Sequence, residues 1–123
     1  MVTGPEFEEG RTAVDAIKAA GIQVRLAFWA YFGDAEEWRL VIVTPSVTRG
    51  GPRSVYASIQ KAFEKANVQV PLRLVVLAAP HDPLARLGMN AEALVRPFGG
   101  GQASLASGSV NVTVDPRYIY RDN

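Results

Sequence analysis

Residues 24–44 read VRLAFWAYFGDAEEWRLVIVT, and this stretch decides the fold. In its first half the even-numbered residues are all apolar and point to one face of a strand, while the odd-numbered residues, which include Trp29 and Tyr31, point to the other. The polar run GDAEE interrupts the pattern, and WRLVIVT forms a second strand that Pro45 ends. The sequence therefore predicts a long antiparallel β-hairpin with an acidic tip.

A helix is predicted on each side of this hairpin. Residues 5–20 carry apolar side chains at helical spacing, and Gly21 is a natural stop. After the hairpin, GGPRSVYASIQKAF opens a second helix at Gly51 and Pro52, because proline suits the first helical position. Val55 and Ile59 belong to its buried stripe.

The remainder of the chain predicts further strands and shorter helices. Pro71 opens a third strand, LRLVVLA. Two short helices follow, the first capped by Asp82 and ending near Gly88, the second ended by Pro97. The tail, SLASGSVNVTVDPRYIYR, has the alternation of a hairpin followed by more strand.

These elements predict one α+β domain over residues 1–123. Its expected architecture is a two-layer sandwich, in which a mainly antiparallel sheet of about five strands carries two main helices on one face. The composition, 48% hydrophobic and 20% charged residues, is that of a globular domain. No parallel βαβ unit is expected around the loop that precedes Pro52.

Several chemistries are excluded or disfavoured by composition. The chain has no cysteine, which excludes disulfides, thiolate catalysis and cysteine-ligated metals, and His81 is its single histidine. No apolar run approaches the roughly 20 residues of a membrane helix, and the N-terminus lacks a signal-peptide pattern. We therefore expect a cytoplasmic protein without a membrane association. No P-loop or dinucleotide fingerprint is present, and no cofactor is predicted.

The leading functional hypothesis is a non-enzymatic binding or accessory domain. The second sheet face carries apolar and aromatic residues, and an exposed patch of this kind marks an interface with a second copy or another protein. Alternatively, the short helices and the C-terminal hairpin cover that face. The predicted interface residues are Trp29, Tyr31, Arg39, Tyr118 and Tyr120.

An alternative hypothesis is an anion-binding or nucleic-acid-binding module. Residues 1–40 contain seven acids and four bases, whereas residues 41–123 contain five acids and nine bases. A helix N-terminus offers free N–H groups to an anion, although Gly-Gly-Pro is also ordinary capping chemistry. The predicted anion-binding residues are Arg49, Gly51, Arg53 and Ser54, assisted by Arg73, Arg117 and Arg121.

A metal-dependent nuclease or other hydrolase is a second alternative, and whether the protein is an enzyme stays open. The acids Asp34 and Glu37 suit a hard cation, and His81 with Asp82 has the form of a base and its orienting partner. A restriction-type nuclease needs Glu-x-Lys, however, and here Arg39 occupies the lysine position. No G-x-S-x-G elbow supplies a nucleophile, so no residue is predicted to be catalytic.

The segments VRLAFWAYFGDAEEWRLVIVTP, GPRSVYASIQKAF and YIYR resemble small bacterial proteins of unassigned function. The resemblance covers most of the chain. It implies a single small bacterial cytoplasmic domain, and it implies no activity, cofactor or catalytic residue.

Overall fold

The computed structural model describes residues 7–98, 103–107 and 110–120, and it describes the side chains at 7–90, 112–114 and 118–120. The predicted start of the first helix, residues 5 and 6, lies outside this range. The elements in chain order are α1 (Phe7–Ala19), β1 (Leu26–Phe32), β2 (Glu37–Val43), α2 (Ser46–Gly50), α3 (Pro52–Ala66), a 3₁₀ turn (Leu72–Leu74), β3 (Val75–Ala78), α4 (Pro83–Phe98), β4 (Ala103–Ser107) and β5 (Val110–Tyr120).

The five strands form one mixed sheet in the order β3-β2-β1-β5-β4. β1 and β2 are the predicted hairpin, paired antiparallel from Leu26 opposite Val43 to Phe32 opposite Glu37. β4 and β5 are likewise antiparallel, as predicted for the tail. The α+β class and the mainly antiparallel five-stranded sheet are therefore confirmed.

β2 and β3, in contrast, run parallel, with Leu40 opposite Val75 and Val43 opposite Ala78. α3 connects them, so the loop before Pro52 does lie within a βαβ crossover, and the expectation that it does not was wrong. The error has a physical cause, because sequence alternation locates a strand but does not give its partner or direction. Parallel neighbours require such a helical crossover.

α1 and α3 cover one face of the sheet, as predicted for the two main helices. Trp29 of β1 and Leu40 of β2 point into this layer, where they meet Ile17 of α1 and Ile59 of α3. Leu40, Ile17 and Ile59 are fully buried, and Trp29 is 4% exposed. The second helix thus buries the stripe that its sequence indicated.

α4 covers the opposite face and makes a third layer. Its Ala85 and Leu87 pack with Phe28 of β1 and Val41 of β2. The two short helices expected here form this one helix instead, and Gly88 lies inside it rather than at an end. A side chain at Gly88 would collide with the ring of Phe28, so this glycine allows the helix to approach the sheet closely.

The register also shows which residues of β2 lie on the face opposite to that of Trp29. Directly opposite residues of an antiparallel pair lie on the same face, and Val41 is opposite Phe28. Val41 and Val43 therefore lie beneath α4 with Phe28, on the face opposite to that of Trp29. Both faces have a covering helix from the chain itself.

Candidate functional site

The carboxyl ends of β2 and β3 lie side by side, and two loops leave the sheet there. We call residues 44–51 and 79–82 the strand-end loops. The first leads into α3 on one face of the sheet, and the second leads into α4 on the other face. In open α/β sheets, ligands bind outside the carboxyl ends of parallel strands at such a point of divergence.

Thr44, the first residue of the first strand-end loop, joins that loop to the end of β3. It is fully buried, and its backbone N–H donates to the carbonyl of Ala78 at the end of β3 (2.9 Å). Its hydroxyl oxygen accepts from the backbone N–H of Ser46 (3.1 Å). The Thr48 hydroxyl then donates to the Pro45 carbonyl (2.8 Å), which closes the short turn of α2. These hydrogen bonds hold the first strand-end loop in place.

Gly51 precedes α3 with φ 82° and ψ 157°. This conformation is accessible essentially to glycine alone. Pro52 occupies the first turn, no side chain caps the helix, and the first turn contains no acidic residue. Among the described residues, no capping side chain therefore accepts the early N–H groups of α3, such as those of Arg53 and Ser54.

Arg49, Arg53 and Ser54 are all exposed, and Gly51 is half-buried. Neither arginine forms an ion pair within the part of the chain that the structure describes. The structure thus brings the four predicted anion-binding residues together at one helix start. Of the predicted assisting residues, Arg73 does not lie there, because it pairs with Glu37 at the far end of β2.

The other two assisting arginines fall outside the side chains that the structure describes. Arg121 lies outside the described residues, and the side chain of Arg117 lies outside the described side chains.

In the second strand-end loop, a side chain of the loop itself caps the helix that follows. Asp82 accepts a hydrogen bond from the backbone N–H of Leu84 through Oδ1 (2.9 Å), which confirms it as the cap of α4. His81 is exposed beside it. Among the hydrogen bonds of the described residues there is none between His81 and Asp82, so the predicted pair of base and orienting partner is not formed.

Two of the five predicted interface residues are buried by α1. The Trp29 indole N–H donates to the Tyr120 hydroxyl (2.8 Å), which donates to the carbonyl of Phe7 (2.6 Å). The rings of Phe7 and Tyr120 stack at 4.2 Å. Burial raises the pKa of Tyr120 to about 12. Trp29 and Tyr120 therefore hold α1 on the sheet and are not accessible to a partner.

The other three predicted interface residues divide between the faces. Tyr31 and Tyr118 each meet Trp38 edge to face, at 5.5 and 5.3 Å, and all three are half-buried. The buried Nε1 of Trp38 has no hydrogen-bond partner among the residues that the structure describes. Arg39 lies on the opposite face of β2, over the ring of Phe32 at 5.0 Å. The five residues consequently do not form one surface.

The predicted acidic metal site is not assembled. Glu37 accepts from Arg39 Nε (2.7 Å) and Arg73 Nη1 (3.2 Å). The hydrogen bond from Arg39 is the main cause that holds the pKa of Glu37 below its ordinary value; burial opposes it, and the bond from Arg73 and the charges of the two arginines add to the lowering. Asp34 is exposed at the hairpin tip, at the other end of the sheet from His81. Within the described residues, no three acidic or histidine side chains cluster closely enough to hold a metal ion.

Sequence reasoning missed Thr44. A threonine that ends an apolar strand has no distinctive signal, and its bridging role depends on the parallel pairing of β2 with β3. A lone small polar residue at the end of WRLVIVT, followed by proline, was the one available hint.

Comparison with known proteins found no matching family model, curated protein or solved structure. None of the helices that the structure describes has both the length and the apolar character needed to cross a membrane.

Proposed function

We propose that the protein is a binding domain that takes a phosphate group at the strand-end loops. The observation that carries this proposal is the divergence of α3 and α4 to opposite faces from the adjacent carboxyl ends of β2 and β3. Ligands of open sheets characteristically bind at such an edge.

The polar groups at this edge favour an anion over other ligands. Arg49 and Arg53 are exposed and have no carboxylate partner among the described residues. The first turn of α3 adds uncapped N–H donors and the positive end of the helix dipole. Guanidinium groups bind phosphate oxygens in a paired geometry, and the Ser54 hydroxyl adds another donor.

The other hypotheses have less support from the same contacts. Association through the face of Trp29 loses its basis because α1 covers that residue. Hydrolysis at Glu37 has no basis in its surroundings, because two arginines occupy both carboxylate oxygens. We therefore propose binding without catalysis.

The test is thermal unfolding in increasing phosphate against chloride at matched ionic strength. Phosphate also raises the unfolding temperature of proteins non-specifically, so a matched variant is needed. Lys61→Ala/Lys65→Ala removes two charges from α3 beyond its first turn. A specific site predicts that phosphate stabilises the wild type and this control equally, and stabilises Arg49→Ala/Arg53→Ala much less. Equal phosphate effects in all three proteins would refute the proposal.

A further inference from the structure

We infer that a groove at the C-terminal end of α3 binds a small organic cation, an amine that carries an apolar body. The groove has a volume of about 240 Å³ and lies between α3 and the segment that leads into the 3₁₀ turn. Asn67, at this end of the helix, lies about 24 Å along it from Gly51. The inference therefore concerns a different place from the strand-end loops and does not rest on the proposed function.

The turn that ends α3 forms the groove. Asn67 has the left-handed conformation, with φ 55° and ψ 46°, and the N–H of Val68 donates to the carbonyl of Phe63 (3.0 Å). The chain therefore turns back beside the helix instead of continuing it. Phe63 and Val70 are buried in the core, and Val68 and Leu72 pack half-buried against the same cluster. These four side chains line the groove and give it an apolar floor.

The polar residues that line the groove favour a cation. Glu64 is the single charged residue among the described residues that line it, and Glu64 is exposed. Its carboxylate forms no ion pair or side-chain hydrogen bond with the described residues, although Lys61 lies one turn before it on α3. The side-chain amides of Gln60 and Asn67 also line the groove, and each offers a carbonyl oxygen to an ammonium group.

The end of the helix strengthens this preference for positive charge. The C-terminal end of a helix carries partial negative charge, which favours a cation within its last turn. Glu64 adds a full negative charge there, so an anionic ligand would be repelled by both. The volume lies below the roughly 300–1,000 Å³ of pockets for drug-sized ligands. The groove thus suits a small amine whose hydrocarbon part lies on the apolar floor and whose ammonium group lies beside Glu64.

The test follows the backbone amide resonances of ¹⁵N-labelled protein during titration with phenethylamine at constant ionic strength. Two probes with the same phenyl group serve for comparison: phenethyl alcohol, which is uncharged, and hydrocinnamate, which is anionic. We expect phenethylamine to cause saturable shifts at Phe63, Asn67, Val68 and Val70, which line the groove. The alcohol should bind more weakly than the amine, and the carboxylate more weakly than the alcohol.

Glu64→Gln tests the role of the charge while keeping the shape of the side chain. It should weaken the binding of phenethylamine about two- to five-fold, as expected for one solvent-exposed ion pair, and leave the binding of the alcohol unchanged. The side chain is exposed, so the fold should be retained, and unchanged resonances in the rest of the spectrum would verify this. Asp15→Asn removes one exposed acid of α1 that does not line the groove, and this control should bind like wild type.

Two results would overturn the inference. Equal affinities for the three probes, or for phenethylamine in wild type and Glu64→Gln, would show that the groove does not select a cation. The absence of saturable shifts at its lining residues would show that the groove is not a binding site. Neither result bears on the strand-end loops, because phosphate is not among the probes.

Discussion

The starts of α3 and α4 follow neighbouring parallel strands, yet they differ in how they are capped and in the charge beside them. At α4, Asp82 accepts the N–H of Leu84 and supplies negative charge to the helix start. At α3, Gly51 provides no side chain, no acid stands in the first turn, and Arg49 and Arg53 add positive charge. Charge of this sign opposes the positive end of a helix dipole.

The comparison shows that the chain supplies its own capping side chain at the start of α4 but not at the start of α3. Capping stabilises a helix, and a residue such as Asp82 is the usual means. The start of α3 forgoes that contribution and places cations where an acid is favoured. An external anion would supply the missing negative charge and accept from the free donors, which is the basis of the proposed function.

The largest effect on stability is expected at Gly51. Gly51→Ala should lower the free energy of unfolding by roughly 1–3 kcal/mol, because φ 82° and ψ 157° strain any residue with a Cβ. The added Cβ has no atom within 4 Å, so backbone strain is the whole cause. Urea unfolding measures the loss.

Gly50→Ala is the matched control for that prediction. Gly50 lies in α2, has no positive φ, and its Cβ would meet only Ser54 at ordinary contact distance, 3.7 Å. A near-neutral result is expected there. If the two alanine variants were equally stable, the conformation assigned to Gly51 would be incorrect.

The next largest effect is expected at Asp82. Asp82→Ala should cost about 1 kcal/mol, since it removes the acceptor of the Leu84 N–H. Asp82→Asn keeps a side-chain oxygen at the same position and should retain most of that stability. Chemical denaturation of the two variants checks this, and an alanine variant as stable as wild type would contradict the assignment of the cap.

A smaller effect on stability is expected for the arginines of the other helix start. Arg49→Ala/Arg53→Ala should change the free energy of unfolding by only about 0.5 kcal/mol or less in the absence of phosphate, because both side chains are exposed and form no ion pair with the described residues. The same denaturation experiment in phosphate-free buffer measures it. A loss comparable with that of Asp82→Ala would mean that the arginines serve the fold.

The smallest effect is expected from replacing Glu37, which pairs with Arg39 and Arg73. Its pKa is lower in the folded chain, chiefly through Arg39, so its contribution is complete above the ordinary glutamate pKa and is lost as pH falls through the lowered value. Unfolding midpoints at pH 7 and pH 3 should therefore converge slightly in Glu37→Gln relative to wild type. Both side chains are partly exposed to solvent, which keeps the change small. No difference between the two proteins would indicate that the pairing contributes nothing in solution.

Features that depend on residues close together in the sequence could be predicted, and features that depend on distant residues could not. The hairpin, the Asp82 cap and the start of α3 depend on residues close in sequence, and each was predicted. The parallel pairing of β2 with β3 depends on a partner more than 30 residues away, and strand alternation contains no information about it. The burial of Trp29 depends on where α1 packs, so this aromatic residue, which was predicted to lie at an interface, is part of the core.

The candidate site divides in the same way. Arg49, Gly51, Arg53 and Ser54 were found because they are adjacent in sequence to one helix start. Thr44 acquires meaning only from the tertiary contacts that join β2 and β3. Gly88 shows the converse error, since a glycine that permits close helix packing was interpreted as a helix end.

The most direct test of the account compares the two helix starts in one titration. Backbone amide resonances of ¹⁵N-labelled protein would be followed as inorganic phosphate is added at constant ionic strength. The account predicts saturable shifts at Arg53 and Ser54, at the start of α3, and little change at Leu84, whose N–H already donates to Asp82. Equal shifts at both starts, or none at α3, would contradict it.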